Sequence, residues 1–153
     1  MSFSGSYVTK SFVSELWSGI HAFGTDTFKM ALYTSSATLN ESTTAYSATN
    51  EASGTGYSAG GAALSGFVLT QFSTMNGTIT SVTFSNPSWP GASFTARGAL
   101  IYNSSKANRA FMVLDFGADK TASGTTFTVQ FPPNTANTAL VTVQVMPNPL
   151  PPR

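Results

Sequence analysis

Hydrophobic positions follow two periods along this chain. Phe12, Val13, Leu16, Trp17, Ile20 and Phe23 recur at helical spacing and predict one amphipathic helix over residues 7–23. Ser6 or Thr9 is placed to cap its start and Gly24 to end it. The stripe is wide and aromatic, so it must pack on a sheet face of its own chain or on a neighbouring subunit. The rest of the chain alternates. Thr27–Thr34 sets Phe28, Met30 and Leu32 on one face and Lys29, Ala31 and Tyr33 on the other, as a half-buried strand does. Leu64–Phe72 and Thr78–Phe84 read as two further strands. Asn76-Gly77 between them is the strongest hairpin signal in the sequence, because both residues tolerate positive φ.

The stretch from Ala92 to Phe116 organises the remainder. Thr95–Tyr102 and Arg109–Phe116 have strand length, and Asn103–Asn108 supplies turn chemistry between them. A pairing symmetric about that loop sets Arg97 opposite Asp115, Ala99 opposite Val113 and Ile101 opposite Phe111. Asn86–Gly91, with two prolines, breaks regularity before it. Thr125–Phe131 turns Phe127, Val129 and Phe131 inward, and Leu140–Val145 places Val141, Val143 and Val145 on one face.

Seven closely spaced strands and one helix predict a mainly β fold. The expectation is an antiparallel β-sandwich or jelly-roll-like barrel, formed as a single domain over residues 1–145. The last eight residues, MPNPLPPR, cannot extend a ladder and predict an extended proline-rich arm. Ser35–Gly61 is polar and aperiodic. A loop of that length usually binds something or is ordered by a partner, and Tyr46 and Tyr57 are its anchors.

Composition narrows the function classes. Only 8% of residues are charged, against about 25% in ordinary soluble proteins. Such a weakly self-repelling surface suits a protein packed against others. A net charge of +1 argues against nucleic-acid or anionic-membrane partners. Absence of cysteine removes disulfides and thiolate chemistry. No stretch approaches the ~20 apolar residues of a membrane span. The start, MSFSGSYVTK, lacks a basic leader and apolar core, so synthesis in the cytoplasm is expected.

Candidate chemistry is sparse. His21 is the single histidine, with no cysteine or second histidine to share a metal, and reads as a structural or surface histidine. No GxSxG elbow accompanies it. Asp115 and Asp119, four apart near a predicted strand end, show no EF-hand pattern and read as a solvated strand end, while Glu41 and Glu51 lie in the long loop. The Asp115-Phe116-Gly117 triplet lacks the other kinase signatures. Gly54-Thr55-Gly56 and Gly60-Gly61 follow no strand and lack a P-loop lysine. Neither enzymatic activity nor a cofactor or metal is expected.

Three segments together carry a resemblance. FKMALYTSSATLNESTTAYSATNEASGTGYSAGGAAL from Phe28, FTARGALIYN from Phe94 and VLDFGADKTASGTTFTVQFP from Val113 resemble a family of small tailed-bacteriophage virion structural proteins. With the N-terminal helix the resemblance spans most of residues 9–132, and the proline-rich end departs from it. It implies a capsid decoration (cement) protein or related head-tail accessory protein, with a β-sandwich or jelly-roll fold. The implied partners are the major capsid protein on the outer capsid surface and copies of the chain itself, with a trimer favoured. It implies no catalytic residue.

The residues expected to make subunit or capsid contacts are Phe12, Leu16 and Trp17 on the helix, Tyr46 and Tyr57 in the long loop, and Trp89. Arg97 and Arg109 on the central hairpin join them, with Pro147, Pro149 and Pro151 on the arm. The alternative is a tail- or fibre-associated module binding host glycan, with the tyrosines and Trp89 stacking on sugar rings.

Overall fold

A computed structural model of the 153-residue chain describes residues 3–145, so the expected arm with Pro147, Pro149 and Pro151 lies outside the described residues. The protein is mainly β, with two antiparallel sheets of five and three strands and one short N-terminal helix. Neither sheet closes into a barrel: the strand orders are β1-β7-β6-β2-β3 and β4-β5-β8, each with two ends. The described residues divide into two compact units, 3–64 with 87–129, and 65–86 with 130–145.

The first unit is built on a ribbon of two long strands, β6 (Ser88–Asn103) and β7 (Arg109–Thr128). The expected break at Asn86–Gly91 lies largely inside β6, and Thr125–Thr128 continues β7 instead of starting a new strand. Bulges make this continuity possible. Register shifts between Trp89 and Ala92, and between Ala96 and Gly98, absorb residues that would otherwise end the ladder. Another shift corrects the expected symmetric register. Asn103 faces Arg109 and Tyr102 faces Ala110, but Ile101 faces Met112, and from there Ala99 faces Leu114. Phe111 is the extra residue. It turns its ring to 4.4 Å from Phe12, 5.3 Å from Phe23 and 5.8 Å from Phe28.

β2 (Phe28–Tyr33) pairs with β6 and with the two-residue β3 (Ala62–Ala63). The expectation of a half-buried strand is corrected here, because every β2 residue except Lys29 is buried. Ala31 and Tyr33 join Leu100, Tyr102 and Val113 in one core cluster, covered by Phe3, Ala37 and Leu39 from outside the strands.

The helix is shorter than its hydrophobic period predicts. Tyr7–Val8 instead forms β1, paired with Val113 and Met112 of β7, and α1 covers Lys10–Trp17. Thr9 precedes the helix, but its hydroxyl turns to the Ala110 and Phe111 carbonyls. Gly19, at φ +72°, stops the helix five residues before Gly24. The Gly19 N–H bonds the Leu16 carbonyl at 3.1 Å and the Ile20 N–H bonds that of Glu15 at 3.0 Å, the double closure of a left-handed C-terminal cap. Ile20 and Phe23 therefore fall beyond the helix.

In the second unit β4 (Val68–Thr74) and β5 (Gly77–Thr83) form the expected hairpin, and β8 (Val141–Val145) pairs with the far side of β5. Thr74 pairs with Gly77, so the loop residues are Met75 and Asn76, one position before the expected pair.

Candidate functional site

The helix divides its side chains between two environments. Phe12 is buried in the aromatic cluster, whereas Val13, Leu16 and Trp17, at the i, i+3, i+4 spacing of one face, are 49%, 38% and 84% exposed. Trp17 is an indole held in water by a capped, packed helix.

Beneath that face runs a polar chain that sequence reasoning did not anticipate. Glu15 is buried, and its carboxylate accepts from Arg109 Nη1 at 2.6 Å and pairs with His21 Nε2 at 2.8 Å. Asn103 reaches the other side of the ring, its Nδ2 3.0 Å from His21 Nδ1 and 2.7 Å from Asp26 Oδ2. Ser105 N–H donates to Asn103 Oδ1, which fixes the amide orientation. His21 Nδ1 is thus an acceptor, and in the neutral ring the proton sits on Nε2, facing Glu15. A histidine between acids suggests acid–base chemistry, but the imidazole has no exposed surface and lies 4.7 Å from the Phe12 ring. The network ties positions 15, 21 and 26 to the hairpin tip at 103–109.

Its charge makes stability depend on pH. Burial opposes ionisation of Glu15, but hydrogen bonds from His21 and Arg109 outweigh it and hold the carboxyl below its ordinary range. Burial likewise opposes ionisation of Asp26, and the Ala22 N–H, Asn103 and Lys106 reverse the balance. Both groups bind protons less readily folded than unfolded, where the ordinary values are 4.5 and 3.8. Their stabilisation is complete above those values and is lost progressively as pH falls from them through the lower folded-state values. Tm should fall as pH drops below about pH 4, with a shallower fall in Glu15→Gln. Identical Tm–pH curves for the two proteins would refute the assignment to Glu15.

The long loop is ordered by its own chain. Glu51 accepts from the Tyr46 hydroxyl at 2.8 Å, the Tyr57 hydroxyl at 2.6 Å and the Gly60 N–H at 2.7 Å. Tyr46 stacks on Tyr102 at 4.7 Å, and the Leu32 N–H of β2 donates to the Tyr57 hydroxyl. Burial first, then the Glu51 carboxylate, pushes the Tyr46 phenol up to about 12 and also raises Tyr33 and Tyr57. Tyr46 and Tyr57 are loop anchors, as the sequence suggests, with their hydroxyls engaged internally. A cleft of about 210 Å³ beside Tyr33, Leu39 and Asn50 is smaller than an ordinary ligand pocket of ~300 Å³ or more.

The other expected contact residues are also engaged. Trp89 is buried, its ring 6.1 Å from Phe127 and 6.2 Å from Tyr57. Arg97 Nε lies 3.3 Å from Asp115 Oδ1, so the expected charge pair forms although Gly98 takes the facing position. Among the described residues no group of three or more His, Cys, Asp or Glu is arranged to hold a metal. Of the expected contact set within the described residues, Leu16 and Trp17 present an exposed apolar surface. Val13 belongs with them, and its place in the helical stripe was the signal for it.

Also missed was the exposed apolar surface of the three-stranded sheet, where Val68, Leu69, Val143 and Val145 are each 46% to 64% exposed. Its sequence signal is an absence: residues 65–86 and 130–145 contain no Asp, Glu, Lys, Arg or His. Fold and surface define a mainly β protein with an apolar helix face open to solvent. No protein-family model, curated protein or solved structure matches the chain.

Proposed function

We propose that this chain is a non-enzymatic structural protein of a tailed-bacteriophage virion, a capsid decoration protein that binds the outer shell and stabilises it. The observation that carries the reading is the helix face of Val13, Leu16 and Trp17, with Trp17 84% exposed. Tryptophan is among the residues most enriched at the energetic centre of protein interfaces, and leaving an indole in water is unfavourable. The segments similar to virion proteins, from Phe28, Phe94 and Val113, supply the kind of partner, a major capsid protein. Binding that favours the folded, assembled state stabilises the shell by mass action. The glycan-stacking alternative loses support, because Trp89 is buried and the Tyr46 and Tyr57 hydroxyls are held by Glu51.

Two measurements test the proposal. Quantitative mass spectrometry of purified virions should find the protein near stoichiometric with the major capsid protein. A few per cent would place it at the tail or connector, and absence from the particle would end the virion reading. Trp17→Ala should lower occupancy on capsids at least about tenfold. Because the side chain is exposed, Tm should stay within roughly 0.5 kcal/mol of equivalent stability. Unchanged occupancy would remove the helix from the contact.

A further inference from the structure

We propose that β8 is a self-association edge, pairing antiparallel with β8 of a second copy about a two-fold axis at Val143. β8 ends the order β4-β5-β8, and it is exposed on both faces from Thr142 to Val145, with Val143 54% and Val145 64% exposed. An edge strand offers a row of unpaired N–H and C=O groups. Monomeric proteins commonly guard such edges with lysine, inward charge or proline. None of these devices occurs within Val141–Val145.

The sequence of the edge selects its occupant. Val141-Thr142-Val143-Gln144-Val145 reads nearly the same in both directions. Turned about Val143, a second copy sets Val141 against Val145, Val143 against its own counterpart, and Thr142 against Gln144. Directly opposed residues share a face, so one face gains an unbroken valine row and the other a row of hydrogen-bonding side chains. Charge matching points the same way. Residues 65–86 and 130–145 carry no charge, so a charged partner strand would find no counter-ion there, whereas a copy brings an equally neutral edge. The two-fold operation is the self-complementary arrangement most common among homodimers. A five-residue strand buries less than the ~800 Å² per partner of a standard interface, so the pair should be weak, with Kd micromolar or higher.

The full chain tests this directly. Sedimentation over a rising concentration series should show the 16.0 kDa monomer converting to a species of twice that mass. Val143→Lys sets like charges opposite each other and should raise Kd at least about tenfold. Its circular dichroism should remain native, since the position is exposed. The chain has no cysteine, so Val143→Cys gives a single-site probe. Opposed Cα atoms in such a pair lie about 4.5–5.5 Å apart, within disulfide range, so mild oxidation should yield a covalent dimer. Leu69→Cys, on the opposite edge strand, should not. A monomer at all concentrations, a trimer, or cross-linking through Leu69→Cys in place of Val143→Cys would each overturn the proposal.

Discussion

Glu51→Ala should lower the Tm by about 10 °C, since the loop from Ser35 to Gly61 loses the one acceptor its anchors share. The Tyr46 hydroxyl, the Tyr57 hydroxyl and the Gly60 N–H all donate to this carboxylate. A hydrogen bond to a charged group contributes about 1.5–3 kcal/mol, and a donor left buried without a partner costs a similar amount. Water can reach part of this cluster, so the total should be about 3–4 kcal/mol, each kcal/mol shifting Tm by about 2–4 °C at this chain length. Glu51→Gln keeps one carbonyl oxygen and should fall between the two. A second signal is specific to the contact. In Glu51→Ala the Tyr46 phenol, raised to about 12 by burial and then by Glu51, should titrate closer to its ordinary 10.0. Ultraviolet titration of the tyrosines reads this separately from stability. An unchanged Tm and an unchanged tyrosine titration would show that the loop is held by other means.

Gly61→Ala should destabilise on a similar scale, by about 2–5 kcal/mol. Gly61 has φ +68°, where an L side chain costs about 1–2 kcal/mol. A Cβ there would also overlap the Met30 carbonyl of β2, a buried strand with no flexible group to move aside. Overpacking of that kind adds roughly 1–3 kcal/mol. Gly19→Ala separates the two causes. Gly19 has nearly the same φ, +72°, but nothing lies within 4 Å of its added Cβ. Gly19→Ala should therefore cost only the conformational part, about 1–2 kcal/mol. Equal losses in denaturant unfolding would contradict the steric account.

The parts of this fold legible in the sequence were those set by local alternation. β2, the β4–β5 hairpin, the turn between β6 and β7, and the face shared by Val141, Val143 and Val145 follow from period-two patterning and turn residues. Bulges were not legible, because an extra residue such as Phe111 leaves no mark in the pattern until its partner strand is known. The helix start failed for a related reason. Tyr7 and Val8 fit a helical stripe, yet the open edge of β7 recruits them as a strand. Gly19 was a legible stop, passed over because Ile20 and Phe23 keep the helical spacing beyond it. The Glu15–His21–Asn103–Asp26 chain joins residues far apart in sequence, and no local pattern encodes it. Tyr46 and Tyr57 were recognisable as anchors, but Glu51 as their common acceptor was not.

The two sheets also differ in what they demand of the chain while it folds. The β6–β7 ribbon grows from a closure over residues 104–108, and each added pair lengthens a contact already begun. The junction of β8 with β5 closes a loop over residues 84–140, which costs about 2 kcal/mol more in chain entropy before any pairing compensates. The ribbon can therefore zip from its turn as soon as its residues exist. β5 must wait, with one edge open, until Val141–Val145 has been synthesised, after both strands of the ribbon.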